Sequence, residues 1–142
     1  LRTLRDRGAP LDAVGIQAHL QMREPFRPEV FAEFVRQIRA LGLQVLITEL
    51  DVREVRPPVG DFVARDAAVA LRVHSFLTAA FEGGARTVLT WGISDRWSWL
   101  HREQAVALGP GDVHRGLPYD WELNRKQMWR AMARAFLGQP PG

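Results

Sequence analysis

Cysteine is absent from the 142 residues, which excludes a disulfide framework and a zinc site built on thiolates. No apolar run approaches the roughly 18 residues that a transmembrane helix needs, so we expect no membrane partner. Lysine is nearly absent as well, because Lys126 is the only one and arginine supplies the other 18 basic residues. These arginines are interspersed with acids, and the net charge is only +3. We therefore expect no nucleic-acid partner, since nucleic-acid-binding domains cluster their basic residues.

The composition that remains is typical of a globular protein. Hydrophobic residues make up 46% of the chain and charged residues 25%, which is too apolar for a disordered tail. The length allows one domain or part of a larger one. The chain opens with Leu1 in a charged, helix-like segment, residues 1–8, without the apolar stretch of a signal peptide. We interpret this as a processed start or a fragment of a longer chain.

Three short apolar runs predict strands at residues 14–18, 45–48 and 87–90. Each run is apolar or β-branched and is bounded by glycine or charged residues, as in strands of a parallel sheet that are buried on both faces. Apolar stripes at spacings of three and four predict helices from Pro28 to about Leu41, at residues 62–82, and after Asn124. For the last helix, Asn124 and Gln127 have the spacing of a capping box.

Alternating helices and strands predict an α/β fold built from parallel βαβ units. Two architectures fit, an open doubly wound sheet and part of a (β/α)8 TIM barrel, whose full length is about 250 residues. Polar or aromatic side chains follow each predicted strand, at the end where a barrel builds its active site. An open sheet binds ligands at the same end, so this placement favours the barrel without deciding between the two.

Glu49 and Asp51 are the strongest candidates for chemistry. Both follow a buried strand and project to the same side, and two acids this close raise each other's pKa unless a donor intervenes. His19, at the end of the neighbouring strand, could supply that donor. An ionised glutamate held by a histidine suits a nucleophile or a base, whereas the alternative is a salt-bridged structural acid. We expect no metal site, because these three residues are too few ligands, and we expect no cofactor.

Three tryptophans, Trp91, Trp97 and Trp99, follow the third strand within nine residues. Indole rings in a loop offer flat apolar faces for sugar rings and an N–H that donates a hydrogen bond. The alternative is a small apolar cluster beneath the loop.

These segments resemble glycoside hydrolase family 10, the endo-1,4-β-xylanases. Residues 42–52, GLQVLITELDV, resemble the family's nucleophile segment at each constrained position. Residues 7–20, RGAPLDAVGIQAHL, resemble its sixth-strand segment, and residues 90–100, TWGISDRWSWL, its eighth-strand loop. Residues 126–129, KQMW, are less similar, because the family usually has Pro and Ala after that lysine.

The resemblance implies a partial (β/α)8 barrel that covers about strands six to eight, with residues 1–142 forming the C-terminal portion of one catalytic domain. It implies that Glu49 is the nucleophile of a retaining endo-1,4-β-xylanase, supported through hydrogen bonds by His19 and Asp51. Three further residues would line the sugar subsites: Gln17, Trp91 and Trp99. The substrate would be xylan or xylo-oligosaccharides. The intact parent is expected to be a secreted monomer.

The resemblance also identifies a missing group. Retaining glycosidases need a second carboxyl group, and in this family that acid/base glutamate follows an asparagine. The sequence contains no Asn–Glu pair, so we expect this chain by itself to be inactive or nearly so. The alternative is a carbohydrate-binding remnant of a xylanase that has no catalytic role.

Overall fold

The computed structural model describes residues 1–140. Within them, the helices are α1 (Arg2–Asp6), α2 (Pro28–Arg39), α3 (Phe62–Gly83) and α4 (Gln127–Phe136). The strands are β1 (Ala13–Ile16), β2 (His19–Gln21), β3 (Gln44–Arg53) and β4 (Thr87–Thr90). Two single-turn 3₁₀ helices, Asp95–Trp97 and Trp99–His101, follow β4. None of the helices in residues 1–140 is long and apolar enough to cross a membrane.

The strands form one parallel sheet with β3 at its centre. β1 pairs with the first half of β3, β2 pairs with its last three residues, and β4 pairs along the opposite edge of β3. The predicted α/β fold with a parallel sheet is confirmed.

The first two strands differ from the predicted boundaries. The first is interrupted, because Ala18 adopts a left-handed backbone conformation with φ 64° between β1 and β2. The second is longer than predicted and continues to Arg53. Glu49 and Asp51 therefore lie within β3 rather than beyond its end, because the strand keeps its parallel partners on both sides past Ile47.

The helices begin and end close to the predicted positions, with one error. Asp61 caps α3 by accepting a hydrogen bond from the Ala64 N–H at 2.9 Å. The predicted capping box of Asn124 is wrong, because Lys126 precedes the first residue of α4. The Asp120 carboxylate binds Asn124 instead, accepting from its backbone N–H at 2.8 Å and its side-chain amide at 3.2 Å.

The three long helices pack against one face of the sheet. The core on this face combines residues of α2, α3 and α4 with four side chains of the central strand, Val45, Ile47, Leu50 and Val52. We call the other face of the sheet the open face. It carries no helix layer within the described residues, and Leu89 of β4 is 50% exposed there.

Candidate active site

An extra residue in β3 alters which of its side chains reach the open face. Ile16 pairs with Ile47 and His19 pairs with Asp51, so three residues of the neighbouring strand lie opposite four of β3. The pairing between β3 and β4 shifts over the same stretch, between Ile47 and Leu50. β3 therefore contains a β-bulge at Thr48–Glu49.

The bulge reverses the alternation of side chains along β3. Val45 and Ile47 point into the core before it, and Leu50 and Val52 point into the core after it. Regular alternation from Val45 would have directed Glu49 and Asp51 towards the helices as well. Because of the bulge, these two acids and Arg53 project from the open face.

His19 joins the two acids into a carboxylate–histidine cluster of His19, Glu49 and Asp51. Its Nε2 lies 3.1 Å from Glu49 Oε2 and its Nδ1 lies 2.9 Å from Asp51 Oδ1. A neutral imidazole carries one N–H, so the ring donates to both carboxylates only as an imidazolium. The side chain of Glu49 is 22% exposed and that of Asp51 only 1%. Glu49 is thus the acid of the cluster that a ligand can reach.

Trp99 completes the hydrogen bonding of the buried acid. Its indole N–H donates to Asp51 Oδ2 over 2.6 Å, so each carboxylate oxygen of Asp51 has a donor. Burial raises the pKa of Asp51, while the hydrogen bonds from Trp99 and His19 oppose that rise. Asp51 therefore depends on both neighbours to stay ionised.

The other predicted ligand-binding residues surround this cluster. The Trp91 ring meets the His19 ring edge to face, with centroids 6.4 Å apart, and is 48% exposed. Gln17 is exposed and precedes His19 by two residues. Its backbone carbonyl accepts the Glu49 N–H at 2.9 Å. The six predicted site residues, His19, Glu49, Asp51, Gln17, Trp91 and Trp99, thus lie near one another.

A second polar cluster was not identified from the sequence. We call it the ionic network, and it pairs three acids with three cations: Glu54, Asp66, Asp95, Arg65, Arg115 and Lys126. Lys126 donates to Asp95 Oδ2 at 2.7 Å and lies 3.4 Å from Asp66 Oδ1. Arg115 binds Asp66 through two parallel hydrogen bonds of 2.7 and 2.6 Å. The network connects β3, α3, the loop after β4 and the start of α4.

The ionic network fixes the loop that carries the tryptophans. Asp95 begins the 3₁₀ turn just before Trp99, and its Oδ1 accepts the Leu117 N–H at 3.1 Å. Burial raises the pKa of Asp95 to about 6, against the effect of the Lys126 ammonium. The members of the ionic network lie far apart in the sequence, so local spacing gives no sign of the network. The one sign of the network in the sequence is that Lys126 is the only lysine of the chain.

His114, which lacks ligand-like spacing in the sequence, is also structural. Its Nδ1 accepts the Glu54 N–H at 3.3 Å and its Nε2 lies 2.9 Å from the Val106 carbonyl. Burial lowers the pKa of His114. Within residues 1–140, no three His, Asp or Glu side chains are placed to hold a metal ion.

Comparison with known sequences identifies relatives over most of the chain. The family model of Glycosyl hydrolase family 10 matches residues 1–135. Endo-1,4-beta-xylanase 1 of Humicola insolens is 32% identical over 135 residues, which cover 94% of this chain and 29% of that protein. Endo-1,4-beta-xylanase B of Thermotoga neapolitana is 31% identical over 101 residues, 70% of this chain and 28% of that protein.

Solved structures give the same result for the fold. Endo-1,4-beta-xylanase XylE of Penicillium canescens superposes with a TM-score of 0.86 at 24% identity, covering 99% of this chain and 41% of that one. Xylanase 10C of Cellvibrio japonicus superposes with a TM-score of 0.82 at 25% identity, covering 99% of this chain and 32% of that one. These neighbours are TIM-barrel xylanases.

The matches cover most of this chain but only part of each relative. The chain spans less than a third of the two curated relatives, 29% and 28% of their lengths. The family model nevertheless covers almost all of it, from residue 1 to residue 135. The chain therefore belongs to glycosyl hydrolase family 10, as a fragment of the family's domain.

Proposed function

We propose that residues 1–142 are the C-terminal portion of a family-10 catalytic domain and contribute about strands six to eight of its barrel. The open face of the sheet supports this proposal, because it corresponds to the interior of a closed barrel. The two outer edges of the sheet also lack strand partners within the described residues, and a barrel closes both edges.

In the completed domain, Glu49 is the nucleophile of a retaining endo-1,4-β-xylanase. The observation that carries this proposal is the contact of one imidazole with two carboxylates, of which only Glu49 is accessible. His19 Nε2 lies within hydrogen-bond distance of Glu49, and Asp51 orients the imidazole ring through Nδ1. Relatives named as endo-1,4-beta-xylanases support xylan as the substrate class. A neighbour, xylanase 10B of Thermotoga petrophila, was solved in complex with xylobiose.

The reaction that this geometry suits proceeds in two displacements. A Glu49 oxygen attacks the anomeric carbon, the bond to the leaving oxygen breaks, and a second carboxyl group donates a proton to that oxygen. Water then cleaves the glycosyl–enzyme ester, assisted by the same second carboxyl group, which now takes the proton. Gln17, Trp91 and Trp99 line the sugar subsites beside Glu49.

The chain by itself does not complete this reaction. The second carboxyl group belongs to an Asn–Glu pair in the family, and this sequence has none. Proton transfer to a leaving group contributes roughly 10²- to 10⁴-fold to such rates. Purified, monodisperse 142-residue chain should therefore release no measurable reducing sugar from xylan.

The role of Glu49 can be tested in a chimera. The strands that precede this segment in a family-10 xylanase would be fused in front of Leu1 to complete the barrel. A 2-deoxy-2-fluoro xylobioside with a good leaving group should label Glu49 covalently, detected by mass spectrometry of peptides. Glu49→Gln should abolish labelling and hydrolysis. Glu29→Gln, an exposed acid at the start of α2, is the matched control that should preserve both.

Sugar binding without catalysis is the second candidate, and the exposed indoles favour it. Trp91 and Trp97 are 48% and 53% exposed on the same loop. If an active chimera were never labelled at Glu49, the nucleophile assignment would be wrong. If the chimera bound xylotetraose equally well with Glu or Gln at position 49 and never hydrolysed xylan, the sugar-binding function would replace the catalytic one.

A further inference from the structure

Beyond the carboxylate–histidine cluster, at the ends of β2 and β3, lies a pocket lined by three arginines, which we call the arginine pocket. Along the open face, β2 and β3 place His19 opposite Asp51 and then Gln21 opposite Arg53. The two pairs are two residues apart on the same face, a separation of about 7 Å along the strand. A sugar chain that reached Glu49 could therefore extend to Arg53 with one or two further units.

The pocket at this upper pair is lined by polar groups and has a volume of about 490 Å³. Three of its lining residues are arginines, Arg23, Arg53 and Arg56. Val55 and Val106 supply apolar walls, and Gln21 supplies an amide. Such a pocket combines hydrogen-bond donors with an apolar surface on the scale of one sugar ring.

The charges of the pocket are unbalanced. Among the ion pairs within residues 1–140, none involves Arg23, Arg53 or Arg56. The pocket acid Glu54 is already neutralised, because Arg65 donates to its two oxygens at 2.7 and 3.0 Å. Glu24 is the other lining acid. The lining therefore contains three arginines outside the ion pairs and one acid, Glu24, that is not neutralised by an ion pair.

We propose that this arginine pocket binds the carboxylate of a uronic-acid substituent on a β-1,4-linked xylose chain. The proposal rests on the function proposed above and adds a preference for acidic over neutral chains. Guanidinium groups pair with carboxylates through two parallel hydrogen bonds, which neutral sugars cannot offer. The Gln21 amide is available to the substituent's hydroxyl groups. Glu24 opposes binding, since its charge repels the incoming acid.

Binding to the 142-residue chain can be measured by isothermal titration calorimetry with three probes. These are xylotetraose, xylotetraose with one glucuronic-acid substituent, and the same branched sugar with that acid reduced to the alcohol. The acidic sugar should bind about tenfold more tightly than its reduced form, as one charge-assisted interaction implies. Its affinity alone should fall when salt rises from 0.05 to 0.5 M.

Three variants make the test specific to the pocket. Arg53→Gln should bring the ratio of acidic to reduced affinity close to one, whereas Glu24→Gln should increase that ratio. Arg130→Gln, on the exposed side of α4 away from the sheet, is the matched control and should leave the ratio unchanged. The opposite effects of Arg53→Gln and Glu24→Gln separate a charge preference from a general loss of folding.

Equal affinity for the acidic and reduced sugars would overturn the proposal, as would an unchanged ratio in Arg53→Gln. Failure of the acidic sugar to bind at all would also overturn it. None of these outcomes bears on Glu49, because its role is decided by covalent labelling in the chimera. Failure of labelling alongside preferred binding of the acidic sugar would leave an acidic-sugar site without the proposed catalysis.

Discussion

The carboxylate–histidine cluster and the ionic network both place acids beside cations, but they differ in charge ratio and exposure. The network matches three acids with three cations, and Lys126 and Asp95 within it are almost fully buried. In the cluster, two carboxylates share one imidazole, and Glu49 remains 22% exposed. Buried acids and cations in equal numbers suit a structural role. A partly exposed acid that shares one imidazole with a second acid suits a catalytic role. Variants of each region should therefore affect different properties.

Lys126→Met should have the largest effect on stability. The substitution removes the cation that pairs with Asp95 and Asp66 inside the fold. Breaking a buried ion pair in this way lowers the free energy of unfolding by about 3–5 kcal/mol. Urea unfolding followed by tryptophan fluorescence would measure the free energy of unfolding. The loss should be smaller at pH 5 than at pH 7.5, because protonation of Asp95 relieves it. A loss under about 1 kcal/mol at both pH values would contradict a structural network.

Asp95 should give the network a distinct pH dependence. Its pKa is about 6 in the folded protein and 3.8 in the unfolded reference, so the folded state binds more protons between these values. The resulting stabilisation is complete below pH 3.8 and is lost as pH rises through 6, a change of about 3 kcal/mol. Asp95→Asn should lack this component when unfolding is measured from pH 4 to 7. Parallel curves for the two proteins would refute the assignment.

Trp99 connects the two regions, because it lies in the loop fixed by the ionic network and binds Asp51 of the cluster. Trp99→Phe should reduce the stability less than Lys126→Met does. It removes the N–H that donates to Asp51, and a hydrogen bond to a buried charged group contributes about 2 kcal/mol. The exposed Trp97 is the matched control, and Trp97→Phe should change the unfolding free energy by less than about 0.5 kcal/mol. Equal losses in the two variants would mean that the indole N–H of Trp99 is unimportant.

Glu49→Gln should have the smallest effect on stability and the largest on catalysis. The side chain is partly exposed and its hydrogen bond within the described residues is with His19, so the unfolding free energy should change by less than about 0.5 kcal/mol. In the chimera the same change removes the proposed nucleophile. A stability loss comparable with that of Lys126→Met would make Glu49 a structural acid and remove the contrast between the regions.

The sequence predicted most of the secondary structure because its signals are local. Pro28 marks the start of a helix through its own backbone preference, and the apolar stripes repeat within single helices. The capping box at Asn124 was wrong for a non-local reason, since the Asp120 carboxylate competes for the same asparagine. Likewise, the bulge at Thr48–Glu49 is defined by pairing with strands that are distant in sequence.

The sequence by itself determined the alternation of strands and helices and the family, and it predicted six candidate site residues. Periodicity and short motifs carry this information within segments of ten to twenty residues. Only the tertiary structure decided that Asp51 is buried and Glu49 accessible, that three cations balance three acids behind the tryptophan loop, and that Arg53 follows the cluster on the same face. Each of these facts depends on burial and on contacts between distant segments, and the order of residues along the chain does not specify such contacts directly.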